Sequence, residues 1–167
     1  AIRRLADVDV LREAASDSRV DVLIVAVGSI AGDAVQAAAA VERAGYTTRV
    51  VAPRWVSPID TALLQFAKQA DLVVTVEDGV VAGGVGARLA QTLRLAGHDV
   101  PTREIGIPVR FLEHGSVADV RAVIGLTVQD IGRQIVEWSA TVSTGGGADD
   151  GGADVPAADR AGELKAD

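Results

Sequence analysis

The sequence predicts an α/β fold, a three-layer sandwich with helices on both faces of a mostly parallel sheet. Three observations carry this. Strand and helix patterns alternate along the chain, and the central strands are near-continuous apolar runs, the mark of strands covered on both faces. The length, 167 residues at 49% hydrophobic, suffices for one compact domain with a substantial core and not for two.

The elements follow in order. "VDVLREA" (8–14) alternates apolar and polar residues and is separated by the turn-prone "SDS" (16–18) from "VDVLIVAV" (20–27), so the two runs predict an antiparallel hairpin at the sheet edge. The second run ends at Gly28, and "AGDAVQAAAAVERAG" (31–45) is an alanine-rich helix stopped by Gly45. "TTRVVA" (47–52) is the next strand. In "SPID" (57–60), Ser57 is the expected helix cap, Pro58 the first helical residue and Asp60 the capping-box acid, with Leu63, Phe66 and Ala67 on the buried face. "DLVVTVED" (71–78) is the third central strand, and the helix from about Gly84 to Leu95 turns Val85, Leu89 and Leu93 inward. "VPTREIGI" (100–107) is the fourth.

Ser116 with Asp119, then Thr127 with Asp130, repeat a helix-start signal and predict two short closing helices. The second carries Val128, Ile131, Ile135 and Trp138 on one stripe. The domain is expected to span residues 1–139. Residues 140–167, rich in Gly, Asp and Ala with almost nothing to bury, read as a disordered acidic tail.

Composition narrows the function. The formal charge is −7, of which Asp149, Asp150, Asp154, Asp159, Glu163 and Asp167 against Arg160 and Lys165 account for −4, leaving −3 for the rest. Bulk charge therefore attracts neither nucleic acid nor an anionic membrane. Without cysteine there is no disulfide, thiol nucleophile or thiolate metal site, and His98 and His114 lack helical ligand spacing, so no metal site is expected. The first twenty residues carry Arg3, Arg4, Asp7, Asp9, Arg12, Glu13 and Asp17 and no apolar run of signal-peptide kind. No stretch approaches the roughly 20 apolar residues of a membrane span, and the expected compartment is the cytoplasm. The chain starts at Ala1 and contains no methionine, which points to a piece of something longer.

Ligands of open α/β sheets bind at the carboxyl ends of the strands, which directs attention to "VEDGVVAGGVGA" (76–87). A dinucleotide fingerprint counted from Gly84 needs glycine at position 89, where Leu89 stands, and no P-loop pattern occurs anywhere. Glu77 and Asp78 would oppose a phosphate, whereas a carboxylate here can itself satisfy the amides of the helix start. Gly79, Gly83, Gly84 and Gly86 then serve a sharp turn and a close approach of the helix to the sheet or to another subunit; the alternative is the rim of an active site. His114 beside Glu113 in "FLEHGS" is a candidate general acid or base, and equally an ordinary hydrogen-bonded loop histidine. Arg54 and Arg110 are candidate contacts for a phosphate or carboxylate, or else ion-pairing arginines at strand ends. These residues do not compose a nucleophile, base and oxyanion set, so the chain alone does not read as a complete enzyme.

Taken in order, "PRW-x-x-P-x-D" from Pro53, the acidic pair with its glycine turn, and "GIPVRFLEHGS…GLT" resemble the C-terminal domain of the 1-deoxy-D-xylulose-5-phosphate synthase family, thiamine enzymes related to transketolase. The resemblance covers about residues 7–139, and the last motif favours the synthases over the wider transketolase group. Asp78 stands where many members carry a second glutamate, and Gly79 where asparagine or glycine is common. The resemblance implies a mostly parallel five-stranded sheet with one antiparallel edge strand. It also implies a homodimeric enzyme that condenses pyruvate with glyceraldehyde 3-phosphate, releasing CO₂, for isoprenoid and thiamine synthesis. Thiamine diphosphate and Mg²⁺ would be bound by preceding domains absent from this chain, and no catalytic residue of the family maps onto it. On this reading Glu77, Asp78, Gly83, Gly84 and Gly86 form contact surface, the His114 loop faces the rest of the enzyme, and Gly84→Asp weakens assembly. Two alternatives remain: the C-terminal domain of a 2-oxo-acid dehydrogenase β subunit, and a free-standing small-ligand binding module.

Overall fold

The computed structural model describes residues 1–14 and 19–145. The elements run β1 (Arg3–Leu5), β2 (Val8–Arg12), β3 (Val20–Val27), a 3₁₀ turn (Gly28–Ile30), α1 (Ala31–Arg43), β4 (Thr48–Pro53), α2 (Thr61–Lys68) and β5 (Ala70–Val80). They continue with α3 (Val85–Leu95), β6 (Thr102–Ile107), α4 (Val117–Ile124) and α5 (Val128–Gly145). The six strands form one sheet in the order β1-β2-β4-β3-β5-β6. β3 lies parallel to both β4 and β5, and β5 parallel to β6.

Two expectations for the sheet are corrected. There are six strands, not five, because Arg3–Leu5 adds a short antiparallel edge strand outside β2. The hairpin is β1 with β2, and β2 pairs with β4 rather than with β3. The reason lies in β3, whose both edges are already taken by parallel partners, so the only open edge on that side belongs to β4. β2 fits there because its alternation fully buries Val8 and Val10 on one face and leaves a single half-buried apolar residue, Leu11, on the other.

The continuous apolar strands are covered on both sides, as their composition requires. One core joins Val22, Ile24, Val50, Val74 and Val76 of the sheet to Ala34, Ala37 and Val41 of α1 and Ile131 and Ile135 of α5. The other joins Leu23, Val25, Val51 and Val73 to Leu63 and Phe66 of α2 and Leu89 and Leu93 of α3. α5 reaches α1 through Gly132, where a methyl group would stand 3.2 Å from Ala40 Cβ. Each fully buried Val, Leu or Ile contributes about 1.5–3 kcal/mol, and these two faces together hold the layers in place.

Helix starts follow local chemistry. Asp60, not Ser57, caps α2: its carboxylate accepts the Ala62 N–H at 2.7 Å and the Asp7 N–H at 3.3 Å, tying the helix to the β1–β2 turn. A carboxylate is the stronger acceptor and it already stands next to the helix, so α2 begins at Thr61. Ser116 caps α4 through the Asp119 N–H, and Thr127 Oγ1 accepts the Asp130 N–H, each at 3.2 Å. α5 is not short: its 18 residues continue to Gly145, so residues 140–145 are helical, and the remainder of the expected tail lies outside the described residues.

One feature was invisible in the sequence. Arg49 of β4 is fully buried, ion-paired with Glu13, bonded to Gln69 Oε1 at 3.2 Å and stacked 5.5 Å from the centre of the Phe66 ring. Arg3, at 2.8 Å, shares the same carboxylate.

Candidate functional site

The glycine turn between β5 and α3 is built around Glu77. Residues 75 and 77 of β5 face α3, next to residues 104 and 106 of β6, since Thr75 pairs with Glu104 across the sheet. Glu77 is buried, and its carboxylate accepts the Val85 N–H at 2.8 Å and the Gly86 N–H at 3.2 Å. The first turn of α3 thus has its orphan amides satisfied by an anion from the chain itself.

The glycines explain how the helix comes so low over the sheet. A methyl group at position 84 would lie 2.6 Å from Glu77 Oε2 and 2.7 Å from the Val80 carbonyl; at 86 it would lie 2.2 Å from Thr75 Oγ1 and 2.7 Å from Glu104 Cγ. Gly106, which no local sequence pattern marks, completes the set: a methyl group there would meet the Gly79 carbonyl at 2.8 Å and Glu77 Cγ at 3.1 Å. Gly83 supplies the left-handed residue of the turn, φ 74°. Beneath α3, Thr75 Oγ1 is buried with no hydrogen-bond partner among the described residues. Burial and the nearby Glu77 carboxylate push Glu104 above the usual glutamate range, against the pull of Arg94.

Asp78 points the other way along the strand end and belongs to a separate group. It accepts the Ser29 hydroxyl and the Arg121 guanidinium, the latter at 3.0 Å, and Arg121 reaches Asp33 at 3.1 Å. The Ser29 hydrogen bond, and then Arg121, hold the Asp78 carboxyl below its ordinary value. This cluster links the 3₁₀ turn, α1, β5 and α4 at the carboxyl ends of β3 and β5. Ser29, Asp33 and Arg121 were not singled out from the sequence, because no local pattern announces an ion pair between residues 88 positions apart.

The other candidates do not converge. Arg54 is paired with Asp9 at 3.0 Å, and Asp9 is also paired with Arg4, so it serves the sheet edge. Arg110 bonds the Val123 carbonyl at 3.5 Å, near the end of α4. His114 and Glu113 are exposed along a shallow groove of about 340 Å³ that also includes Arg110, Phe111 and Val123. Beside His114 that groove is lined by the carboxylates Glu113 and Asp119 and by no serine, threonine or lysine.

A thiamine diphosphate does not fit these residues. The glycine turn offers its phosphates no free amides, because the α3 start is filled by Glu77, and a second carboxylate, Glu104, lies beside it. Among the described residues no helix is long and apolar enough to cross a membrane.

Comparison with known proteins decides the family. The profile described as transketolase, C-terminal domain, matches residues 13–131. The chain belongs to the transketolase C-terminal domain family. Within it, the chain is 49% identical over 133 residues to a 1-deoxy-D-xylulose-5-phosphate synthase of Rhodococcus jostii, covering 80% of this chain and 20% of that protein. It is 48% identical over 135 residues to 1-deoxy-D-xylulose-5-phosphate synthase 2 of Streptomyces avermitilis, covering 81% and 21%. The chain therefore spans about a fifth of the length of these relatives. Among solved structures, a split-gene transketolase described as an inactive β4 tetramer superposes with TM-score 0.70 at 31% identity, over 81% of this chain and 42% of that one. A transketolase of Pichia stipitis, TM-score 0.61 and 18% identical over 83% of this chain and 18% of its own, shares the fold. In this transketolase C-terminal domain Gly84 and Gly86 stand close to Glu77, Val80, Thr75 and Glu104 of the same chain.

Proposed function

We propose that the chain is the C-terminal assembly domain of a 1-deoxy-D-xylulose-5-phosphate synthase. The observation that supports this is the 44–49% identity to synthases over 80–85% of the chain. The same observation favours the synthase over a 2-oxo-acid dehydrogenase β subunit. The whole enzyme would condense pyruvate with glyceraldehyde 3-phosphate and release CO₂, as a homodimer in the cytoplasm. Thiamine diphosphate and Mg²⁺ would be held by the preceding domains, consistent with a helix start here that already carries its own carboxylate. The role of this domain is then mechanical: it offers a rigid sheet, capped by Glu77, on which the rest of the enzyme is held. Glu77, Asp78, Gly83, Gly84 and Gly86 act through that rigidity, and His114 and Glu113 lie on the surface turned toward the other domains. Gly84→Asp would act on this domain first, because its side chain would meet Glu77 before any partner.

The test is a chimaera in which this chain replaces the matching final fifth of the Rhodococcus jostii synthase. The expected result is CO₂ release from pyruvate that depends on glyceraldehyde 3-phosphate, with none from the isolated chain. A soluble, thiamine-binding chimaera that forms no 1-deoxyxylulose 5-phosphate would overturn the reading.

A further inference from the structure

Two arginines share one carboxylate on the α2 face of the sheet. Glu13 Oε1 accepts Arg49 Nε, and Glu13 Oε2 lies 2.8 Å from Arg3 Nη2. Both guanidiniums stand over the Phe66 ring, Arg3 at 5.9 Å and Arg49 at 5.5 Å from its centre. The group therefore carries one positive charge more than Glu13 balances. Arg19 and Asp71, which meet beside the end of α2, cancel each other and lend it no anion. The Arg49 side chain is only 2% exposed, and a buried charge without full compensation is costly.

The same residues border an open cavity of about 480 Å³, lined by Arg3, Leu5, Arg49, Gln65, Phe66 and Gln69. Arg49 is the second residue of β4 and Gln69 immediately precedes β5, so the cavity lies toward the amino ends of these strands, away from Glu77 and the glycine turn. Its polar wall is made of donors. Gln69 Oε1 is taken by Arg49 Nη1 at 3.2 Å, which leaves the amide to present its NH₂ group. Arg49 Nη2 donates no hydrogen bond among the described residues. Arg3, with 44% of its side chain exposed, is free to turn from Glu13 to a ligand. These donors arrive from β1, β4 and the end of α2, and so from different directions. That arrangement suits a tetrahedral oxyanion better than a planar carboxylate, and guanidinium groups are the preferred partners of phosphate.

We propose that this cavity binds a phosphate group, free or carried as the monoester of a small metabolite, with Arg3 and Arg49 meeting its charge and Gln69 donating to a further oxygen. The proposal does not depend on the reaction assigned to the longer enzyme.

The test is a phosphorus NMR titration of the chain with inorganic phosphate and, in parallel, with glycerol 3-phosphate, at ionic strength held constant with sodium chloride. Saturable binding is expected with a Kd of about 1 mM, the scale of a solvated site built on two arginines. The tighter of the two probes identifies the source of the phosphate. Arg3→Ala, at an exposed residue, should weaken binding at least about tenfold. Glu13→Gln removes the competing carboxylate and should tighten binding several-fold, which a purely structural Glu13 would not do. Gln69→Glu sets a carboxylate where the ligand would sit; it should abolish binding and raise Tm in phosphate-free buffer. Arg54→Ala takes the same charge from the Asp9 pair at this sheet edge, outside the cavity, and should leave the affinity unchanged. Binding that does not saturate, or that Arg3→Ala and Arg54→Ala weaken equally, would overturn the proposal as an effect of bulk charge. Acetate bound as tightly as either phosphate probe would overturn the choice of ligand.

Discussion

Replacing Glu77 by alanine tests the structural account of the glycine turn most directly. The carboxylate accepts two α3 amides at 2.8 and 3.2 Å, and it is buried, so water cannot take its place without opening the contact. A hydrogen bond to a charged group contributes about 1.5–3 kcal/mol, and an amide left unpaired in a buried site costs about 1–3 kcal/mol. Both bonds share one side chain and do not add in full. Removing the charge also relieves its desolvation and its repulsion of Glu104, so the net loss is about 3 kcal/mol. For a domain of this size that corresponds to a fall in Tm of about 10 °C, measured by circular dichroism at pH 7. Glu77→Gln, which keeps the shape and one good acceptor, should lose about half as much. If Glu77→Ala melted within about 2 °C of the parent, the carboxylate would not be holding the helix start, and an anion-binding role for those amides would be open again.

Three further outcomes are expected. Gly86→Ala, which forces a methyl group to 2.2 Å from Thr75 Oγ1, should cost about 3 kcal/mol; in the Thr75→Ala background, urea unfolding should show a clearly smaller loss, since the offending hydroxyl is gone. Glu104→Gln should raise Tm at pH 7 but not at pH 4: the folded protein binds the Glu104 proton more tightly than the unfolded chain does, so ionisation weakens folding as pH rises through the raised value and nothing is gained where the group is already protonated. Gly132→Leu should drive α5 off α1 and cost about 2 kcal/mol by equilibrium unfolding, because Ala37 and Ala40 leave no room for a side chain there.

How far the sequence could be read depended on the range of the interaction. β3 and β5 were plain because a run such as "VDVLIVAV" has no polar face to offer water, and the Ser116 and Thr127 caps were plain because both partners lie within one turn. The edge was misjudged because β2 alternates correctly but its partner depends on which strand edge remains open, which is decided by the whole sheet. By its spacing from Ser57, Asp60 reads as a capping-box acid, yet it is the cap itself, a distinction that turns on the backbone of a single residue. The role of Glu77 was foreseeable from an acid placed before a helix start. Its neighbours Gly106 and Glu104 were not, since they arrive from another strand, and the same holds for buried Arg49, whose partners Phe66, Gln69 and Glu13 come from α2, its C-terminal end and the segment after β2.

The acidic pair at the end of β5 divides two tasks between adjacent residues because successive strand residues point to opposite faces. Glu77 turns toward α3 and satisfies the amides of its first turn. Asp78 turns toward α1 and α4 and, with Asp33, anchors Arg121. Exchanging their roles would put a longer carboxylate against Arg121 and a shorter one beneath α3, so Asp78→Glu is the milder change and Glu77→Asp the more damaging, since shortening the side chain by one methylene withdraws it from amides it now meets at hydrogen-bond distance. Asymmetry of that kind is what distinguishes a carboxylate built into the fold from one merely lining a binding rim, where both substitutions would act on ligand affinity and leave stability alone.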